Sequence, residues 1–220
     1  MNKTINIWIL LLLLLLLPFG LAVGFNIDYT LFGWDIQGEE LAGKQYIFNL
    51  GSGLILILGV FKTVNRWLGM SMLYQKNKFR FSNAIASARI KRVLLYGIIE
   101  IVFLSIFSAF FFVLSTDTWV ISAALLIILL EHLLHMILGY WLGLFRYGIT
   151  KKAFVAVDRG SSVIYFNGLR RISKHQDTIY FAYSNNLVLH IPTNLFEDEG
   201  EFLLNLKSVI NTDKVFIEGF

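Results

Sequence analysis

Hydrophobic residues gather into four long runs in the first two-thirds of the chain, whereas the last third alternates polar and apolar positions. The runs cover residues 7–25, 46–68, 93–114 and 119–145. Each is close to the roughly 20 apolar residues that a helix needs to cross the hydrocarbon core of a bilayer. The pattern therefore predicts a bundle of four transmembrane helices over residues 1–145, followed by a separate domain over residues 146–220.

The first run admits two interpretations. A charged start at Lys3, a leucine core and small residues at Gly20, Ala22 and Gly24 are typical of a secretory signal. The lack of a clean small-x-small cleavage site favours an uncleaved helix. Both interpretations place residue 26 outside the cell, so the rest of the topology does not depend on the choice.

Basic residues predict the orientation of the bundle. Residues 62–92 hold eight cations and no acid, and Arg146, Lys151 and Lys152 follow the fourth run. Basic segments beside membrane spans stay on the cytoplasmic side. We therefore expect both termini in the cytoplasm. Lys62 and Arg66, near the end of the second run, are expected to extend their charged ends to the head groups.

The basic segment between the second and third runs is also the predicted contact with lipid. Attraction to an anionic surface contributes about 1 kcal/mol per cation. Basic residues interleaved with aromatics also occur in nucleic-acid-binding proteins, but the position beside two spans favours lipid, and no nucleic-acid partner is expected. The predicted head-group contacts are Lys76, Lys78, Arg80, Arg89, Lys91 and Arg92.

The last third predicts a small α+β domain. Alternating positions indicate strands over residues 154–157, 163–166, 178–183 and 187–191. From Glu197 the period changes, and Phe202, Leu203 and Leu206 fall on one helical face. Acidic residues crowd the first turns of this helix, where they complement its dipole. The domain is therefore predicted to be an antiparallel sheet capped by a C-terminal helix.

Residues 179–210 read IYFAYSNNLVLHIPTNLFEDEGEFLLNLKSVI, with Ile191, Pro192 and Phe196 in an Ile-Pro-x-x-x-Phe pattern between a hairpin and an acidic-capped helix. With the short strand at 169–172, residues 149–210 resemble the YcxB-type bacterial domain, a relative of bacterial pleckstrin-homology-like (PH-like) domains. The resemblance implies a sheet capped by a helix, transmembrane helices ahead of it, and a bacterial inner membrane. It supplies no catalytic residue, and Thr193 stands where the family often has a basic residue.

Four ionisable residues lie inside the apolar runs: Glu100 in the third, and Glu131, His132 and His135 in the fourth. A charge at the bilayer centre costs about 2.5–3.5 kcal/mol on insertion scales, so such residues are expected to face the bundle interior and find partners. Three interpretations stay open. The residues form a polar knot that orders the helices, a zinc or iron site, or a proton or ion pathway.

The functional expectation follows from these features together. The chain is 56% hydrophobic and only 15% charged, and it has no cysteine. The predicted domain shows no phosphate-binding glycine loop and no nucleophile elbow. We expect a non-enzymatic membrane protein without a cofactor, whose cytoplasmic module binds a protein partner, a second copy or the membrane face. The alternative is a small ion or proton transporter, or a metal-dependent membrane enzyme, that uses the four ionisable residues.

Overall fold

The computed structural model describes residues 2–31, 33–36, 38, 43–210 and 215–219. Four long helices fill most of the first two-thirds of the chain. They are Asn2–Phe25 (α1), Lys44–Tyr74 (α2), Ser87–Leu114 (α3) and Trp119–Trp141 (α4). By length and composition, all four can cross a membrane, as the apolar runs predict.

All four helices have ends that differ from the predicted ones, and α1 begins at Asn2, before residue 7. α4 ends at Trp141, before residue 145, because Gly143 takes a left-handed φ of 60° and the chain turns. α2 continues to Tyr74, beyond residue 68, and α3 begins at Ser87, before residue 93. The extra turns of α2 carry Met70 and Leu73, which are buried in an apolar core. Packing against this core therefore extends α2 and α3 beyond their apolar runs.

The chain forms two compact units. The helical unit comprises Met1–Val64 and Tyr96–Met136, and the sheet unit comprises Asn65–Leu95 and Ile137–Phe220. The sequence predicts a single boundary at residue 146, whereas each unit is built from two separate segments of the chain. The sheet unit also takes in the end of α2, the start of α3 and the end of α4.

All four helices contribute to the core of the helical unit. Its buried side chains include Leu13, Phe48, Phe111 and Leu125. A short antiparallel hairpin, Tyr29–Leu31 (β1) and Trp34–Ile36 (β2), follows α1.

Two glycines of α2 lie in close contact with side chains elsewhere in the helical unit. A Cβ added at Gly51 or at Gly59 would lie 2.6 Å from the side chain of Leu16 or Ile128, respectively. Ile128 belongs to α4 and Leu16 to α1. Small residues at helix contacts let backbones approach, and these two positions depend on that property.

The sheet unit contains two four-stranded sheets. The first is antiparallel, in the order β3–β4–β5–β6, and the second has the order β10–β7–β8–β9, with β10 parallel to β7. The strands are Phe81–Ala84 (β3), Arg146–Ile149 (β4), Ala153–Val157 (β5), Ser161–Tyr165 (β6), Leu169–His175 (β7), Thr178–Tyr183 (β8), Val188–Pro192 (β9) and Phe216–Glu218 (β10). The predicted strands are confirmed with small shifts of their ends, but they belong to two sheets instead of the single antiparallel sheet that was predicted, and β3, β4 and β10 are additional.

β3 comes from a part of the chain in which the sequence pattern predicts no strand. It lies between α2 and α3 and pairs with β4, with Ser82 opposite Gly148. The α3–α4 hairpin is therefore inserted between two neighbouring strands of one sheet. A fragment that begins near Ile149 lacks β3 and nearly all of β4, so it does not contain the whole first sheet.

One core joins the sheets to the helix ends. It contains Phe154 of the first sheet, Phe181 of the second, and Phe202 of the C-terminal helix Glu199–Lys207 (α5). Leu73 of α2 and Val93 of α3 belong to the same core. Asp198 caps the start of α5, because its side chain accepts a hydrogen bond from the Glu201 N–H.

Candidate functional site

Polar side chains from three helices converge on Glu100 of α3. Its carboxylate forms an ion pair with the ammonium of Lys62 from α2. The Nε2 of His132 from α4 lies 3.9 Å from Glu100 Oε2, and Asn6 of α1 donates a hydrogen bond to the same oxygen at 3.4 Å. Glu100 is thus contacted from each of the three other long helices. We call Asn6, Lys62, Glu100 and His132 the Glu100 cluster.

The cluster is deeply buried. Lys62 is 1% exposed, His132 is 3% exposed, and the side chain of Glu100 is 12% exposed. The pairing of ammonium and carboxylate cancels their charges where water is scarce. An ion pair of this kind is costly to break, because removing one partner leaves the other charge buried and uncompensated.

Lys62 does not extend to the surface as predicted, because its ammonium is buried against Glu100. It lies about 18 Å along the helix axis from the end of α2 at Tyr74, at about 1.5 Å per residue. That distance is too long for a lysine side chain to span. The sequence prediction ended this helix at residue 68, which made Lys62 look close to the surface. Arg66 is likewise buried, within the sheet unit.

The other two ionisable residues of the fourth run differ in burial. His135 is buried, one helical turn after His132, and Glu131 is half-buried. Among the described residues, no group of three or more His, Asp or Glu side chains is placed to hold a metal ion. The ammonium of Lys62 beside Glu100 gives a physical reason, since it already supplies the positive charge that a metal would bring.

A second polar pair joins α3 and α4. The hydroxyls of Ser108 and Ser122 lie 3.0 Å apart, and each also donates to the backbone carbonyl of the other at 3.1 and 2.8 Å. Leu104, buried, occupies the α3 turn between Glu100 and Ser108. Ser52 bonds within its own helix, to the Asn49 carbonyl. The serine pair therefore links α3 to α4 separately from the Glu100 cluster, whereas the Ser52 hydrogen bond stays within α2.

The predicted head-group contacts have different surroundings. Lys78, Arg80, Lys91 and Arg92 are exposed. Arg89 is half-buried and donates hydrogen bonds to Asp158 at 2.7 Å and to Asn194 at 3.4 Å. Its charge is therefore paired within the sheet unit. The backbone of Lys76 lies in a short 3-10 turn, but its side chain lies outside the described part of the structure.

The Ile-Pro-x-x-x-Phe residues help build the core of the sheet unit. Ile191 and Phe196 are buried, and Pro192 ends β9. Phe196 stacks on Phe202 of α5 at 3.9 Å between ring centroids, and Tyr147 meets Phe196 edge to face at 5.0 Å. The pattern thus fixes α5 on the sheets.

Tyr147 of β4 lies in this aromatic cluster. Burial and then the nearby carboxylate of Glu201 raise the pKa of Tyr147 to about 12. Its hydroxyl therefore stays protonated over the physiological pH range.

The sequence pattern did not predict two members of the Glu100 cluster: Lys62 as the partner of Glu100, and Asn6. The depth of Lys62 would have been a signal if the end of α2 had been known. Asn6 stands in the first turns of α1, and nothing in its sequence context marks it. Comparisons with protein-family models, curated proteins and solved structures gave no match to this chain.

Proposed function

We propose that this chain is a non-enzymatic, multi-pass protein of a bacterial inner membrane that presents its sheet unit as a PH-like interaction module on the cytoplasmic face. One observation carries the proposal. The ends of helices long enough to span a membrane share a core with two sheets and α5. The helices that can enter a membrane therefore also supply part of the core of the module.

The outer surface of the helical unit supports membrane insertion. Large apolar side chains such as Leu15, Phe61, Ile106 and Leu130 are exposed on it. In the most hydrophobic windows of the four helices, only 22–44% of residues are buried. Apolar helices that leave so much apolar surface exposed are typical of membrane-embedded proteins, in which lipid covers that surface.

The orientation is supported by where the cations lie. The end of α2, the start of α3 and the end of α4 all belong to the sheet unit, which an up-and-down arrangement of spans requires. Seven of the eight basic residues in the segment 62–92, and those after α4, are part of this unit. By the positive-inside rule, this distribution favours a cytoplasmic sheet unit and cytoplasmic termini.

The architecture of the sheet unit supports the PH-like proposal. A four-stranded antiparallel sheet and a second sheet share one core, and α5 follows the last antiparallel strand. The Ile191–Phe196 pattern occupies the end of that strand and the turn before α5.

An edge of the second sheet offers a surface for a protein partner or a second copy. β9 is the last strand in that sheet as the described residues define it. Leu187 and Val188, at its start, are about half exposed. An uncovered edge strand with exposed apolar residues can add a strand from another chain.

Site-specific photocrosslinking of the full-length protein in its native membrane tests the proposal. A crosslinker at His190 should trap a discrete adduct, and Leu187→Ser with Val188→Ser should abolish that adduct. The matched change Leu204→Ser, on the exposed face of α5, should leave it intact. Lack of any adduct from His190, with expression normal, would contradict the interaction module.

The Glu100 cluster separates this proposal from ion or proton transport. Its residues are proposed to tie the helices together, which explains why one carboxylate is contacted from three helices. Replacing Lys62 and Glu100 together by apolar residues should then preserve the adduct. In a transporter, the same replacement would abolish ion flux into vesicles while the protein stayed folded.

A further inference from the structure

A crevice of about 240 Å³ lies in the sheet unit between the end of α2 and the first sheet. Its polar lining includes Gln75 and Lys78, and its apolar lining includes Met72, Phe79 and Tyr165. Pockets for drug-sized ligands run from about 300 to 1,000 Å³. The crevice is therefore sized for a small head group with a short apolar part.

Three further cations lie around this crevice. The Arg80 N–H donates to the Ile149 carbonyl at 2.9 Å, which sets Arg80 beside the β4–β5 turn. Lys151 and Lys152 occupy the tip of that turn, closed by the Thr150 N–H to the Ala153 carbonyl at 2.8 Å. Tyr165 lines both the crevice and the neighbouring groove that contains these two lysines.

Within the described part of the chain, no carboxylate pairs with any of the four cations. Lys78, Arg80, Lys151 and Lys152 are exposed, and among the described residues none of them makes an ion pair. Residues 69–92 and 136–157, which supply them, contain no acid. Asp158, the first acid after these segments, forms its ion pair with Arg89 instead. The local field therefore favours an anion.

The crevice also lies where a lipid phosphate would be. Tyr74 at the end of α2, and Tyr140 and Trp141 at the end of α4, are 60–80% exposed. Exposed aromatics at the ends of spans mark the membrane–water interface. Lys78 follows Tyr74 by one helical turn of sequence, and Met72 and Gln75 of the same helix end line the crevice. A head group is thus within reach, with its glycerol against the apolar lining.

We propose that this crevice binds the phosphate of an anionic phospholipid of the surrounding bilayer, held by Lys78 with Gln75 and attracted by Arg80, Lys151 and Lys152. The inference rests on the proposed insertion of the helices. It concerns a different surface from the β9 edge, so lipid would fix the orientation of the module without covering that edge.

Native mass spectrometry of the full-length protein in detergent tests the site, with phosphatidylglycerol, phosphatidylcholine or inorganic phosphate added. The wild type should bind the first phosphatidylglycerol more tightly than phosphatidylcholine. The pair Lys78→Gln with Arg80→Gln, and separately Lys151→Gln with Lys152→Gln, should weaken this binding about fivefold per removed charge. The control pair Arg170→Gln with Lys207→Gln removes two exposed cations of the same unit and should leave it within twofold.

Three results would overturn the proposal. They are equal affinity for the two lipids, an equal loss in the control pair, and displacement of phosphatidylglycerol by millimolar inorganic phosphate, which would indicate a site for a soluble anion. Far-ultraviolet circular dichroism of each variant separates lost binding from lost folding. If an impermeant label shows the sheet unit in the cytoplasm while the lipids bind equally, this inference fails alone; a sheet unit outside the cell defeats the proposed function itself.

Discussion

Neutralising Glu100 should destabilise the protein by about 3–5 kcal/mol, the cost of leaving a buried charge without its partner. Glu100→Gln keeps the shape of the side chain and an oxygen for the Asn6 amide. It removes the negative charge beside the ammonium of Lys62, which is 1% exposed. The double change Lys62→Met with Glu100→Leu removes both charges, and buried pairs replaced in this way are neutral or gain about 1–4 kcal/mol.

The free energy of unfolding can be measured for purified protein in mixed micelles, with sodium dodecyl sulfate as the denaturant. Lys44→Gln is the matched control, since Lys44 and Asp117 form a pair at 3.0 Å whose side chains are about one-third exposed. An exposed pair contributes about 0–1 kcal/mol. The reasoning is refuted if Glu100→Gln stays within about 0.5 kcal/mol of wild type, or if the double variant is no more stable than the single one.

Three further predictions concern smaller contacts. Because the pKa of Tyr147 is about 12 in the folded protein and about 10 when unfolded, stability is full below pH 10 and falls as the pH rises to 12; Tyr147→Phe should reduce that fall in chemical unfolding. Ser108→Ala or Ser122→Ala breaks the serine pair and should cost about 0.6–1.7 kcal/mol in the micelle assay; an unchanged stability would contradict the pairing. The Glu197 carboxylate accepts a hydrogen bond from the Ser87 N–H at 2.8 Å and so caps the start of α3. Glu197→Ala should therefore cost about 0.5–2 kcal/mol of stability and speed hydrogen exchange of the Ser87 amide. Unchanged exchange of that amide would contradict this capping contact.

The helices and most strands are readable from the sequence because each has a local signal. An apolar run of sufficient length predicts a span wherever it occurs. Short runs rich in β-branched and aromatic residues predict strands such as β5 and β8, whose partners also lie nearby in the chain. The acidic residues at the start of α5 predict where the helix begins. None of these inferences needs knowledge of a distant residue.

β3 and the Glu100 cluster depend on contacts between distant segments. The β3 sequence Phe-Ser-Asn-Ala has no strong strand character, and it is a strand because β4, beyond the α3–α4 hairpin, pairs with it. Glu100 was a candidate from its depth alone, but its partners come from three other helices. A lysine near the end of an apolar run resembles one that reaches for the surface, until packing lengthens the helix around it.

Single-cysteine labelling tests the central claim most directly, since the chain contains no cysteine of its own. Ser184→Cys lies on the exposed β8–β9 hairpin, and Thr116→Cys lies on the exposed turn between α3 and α4. In intact spheroplasts, a membrane-impermeant maleimide should label Thr116→Cys and should reach Ser184→Cys only after lysis. Labelling of Ser184→Cys before lysis would place the sheet unit outside the cell and contradict the account.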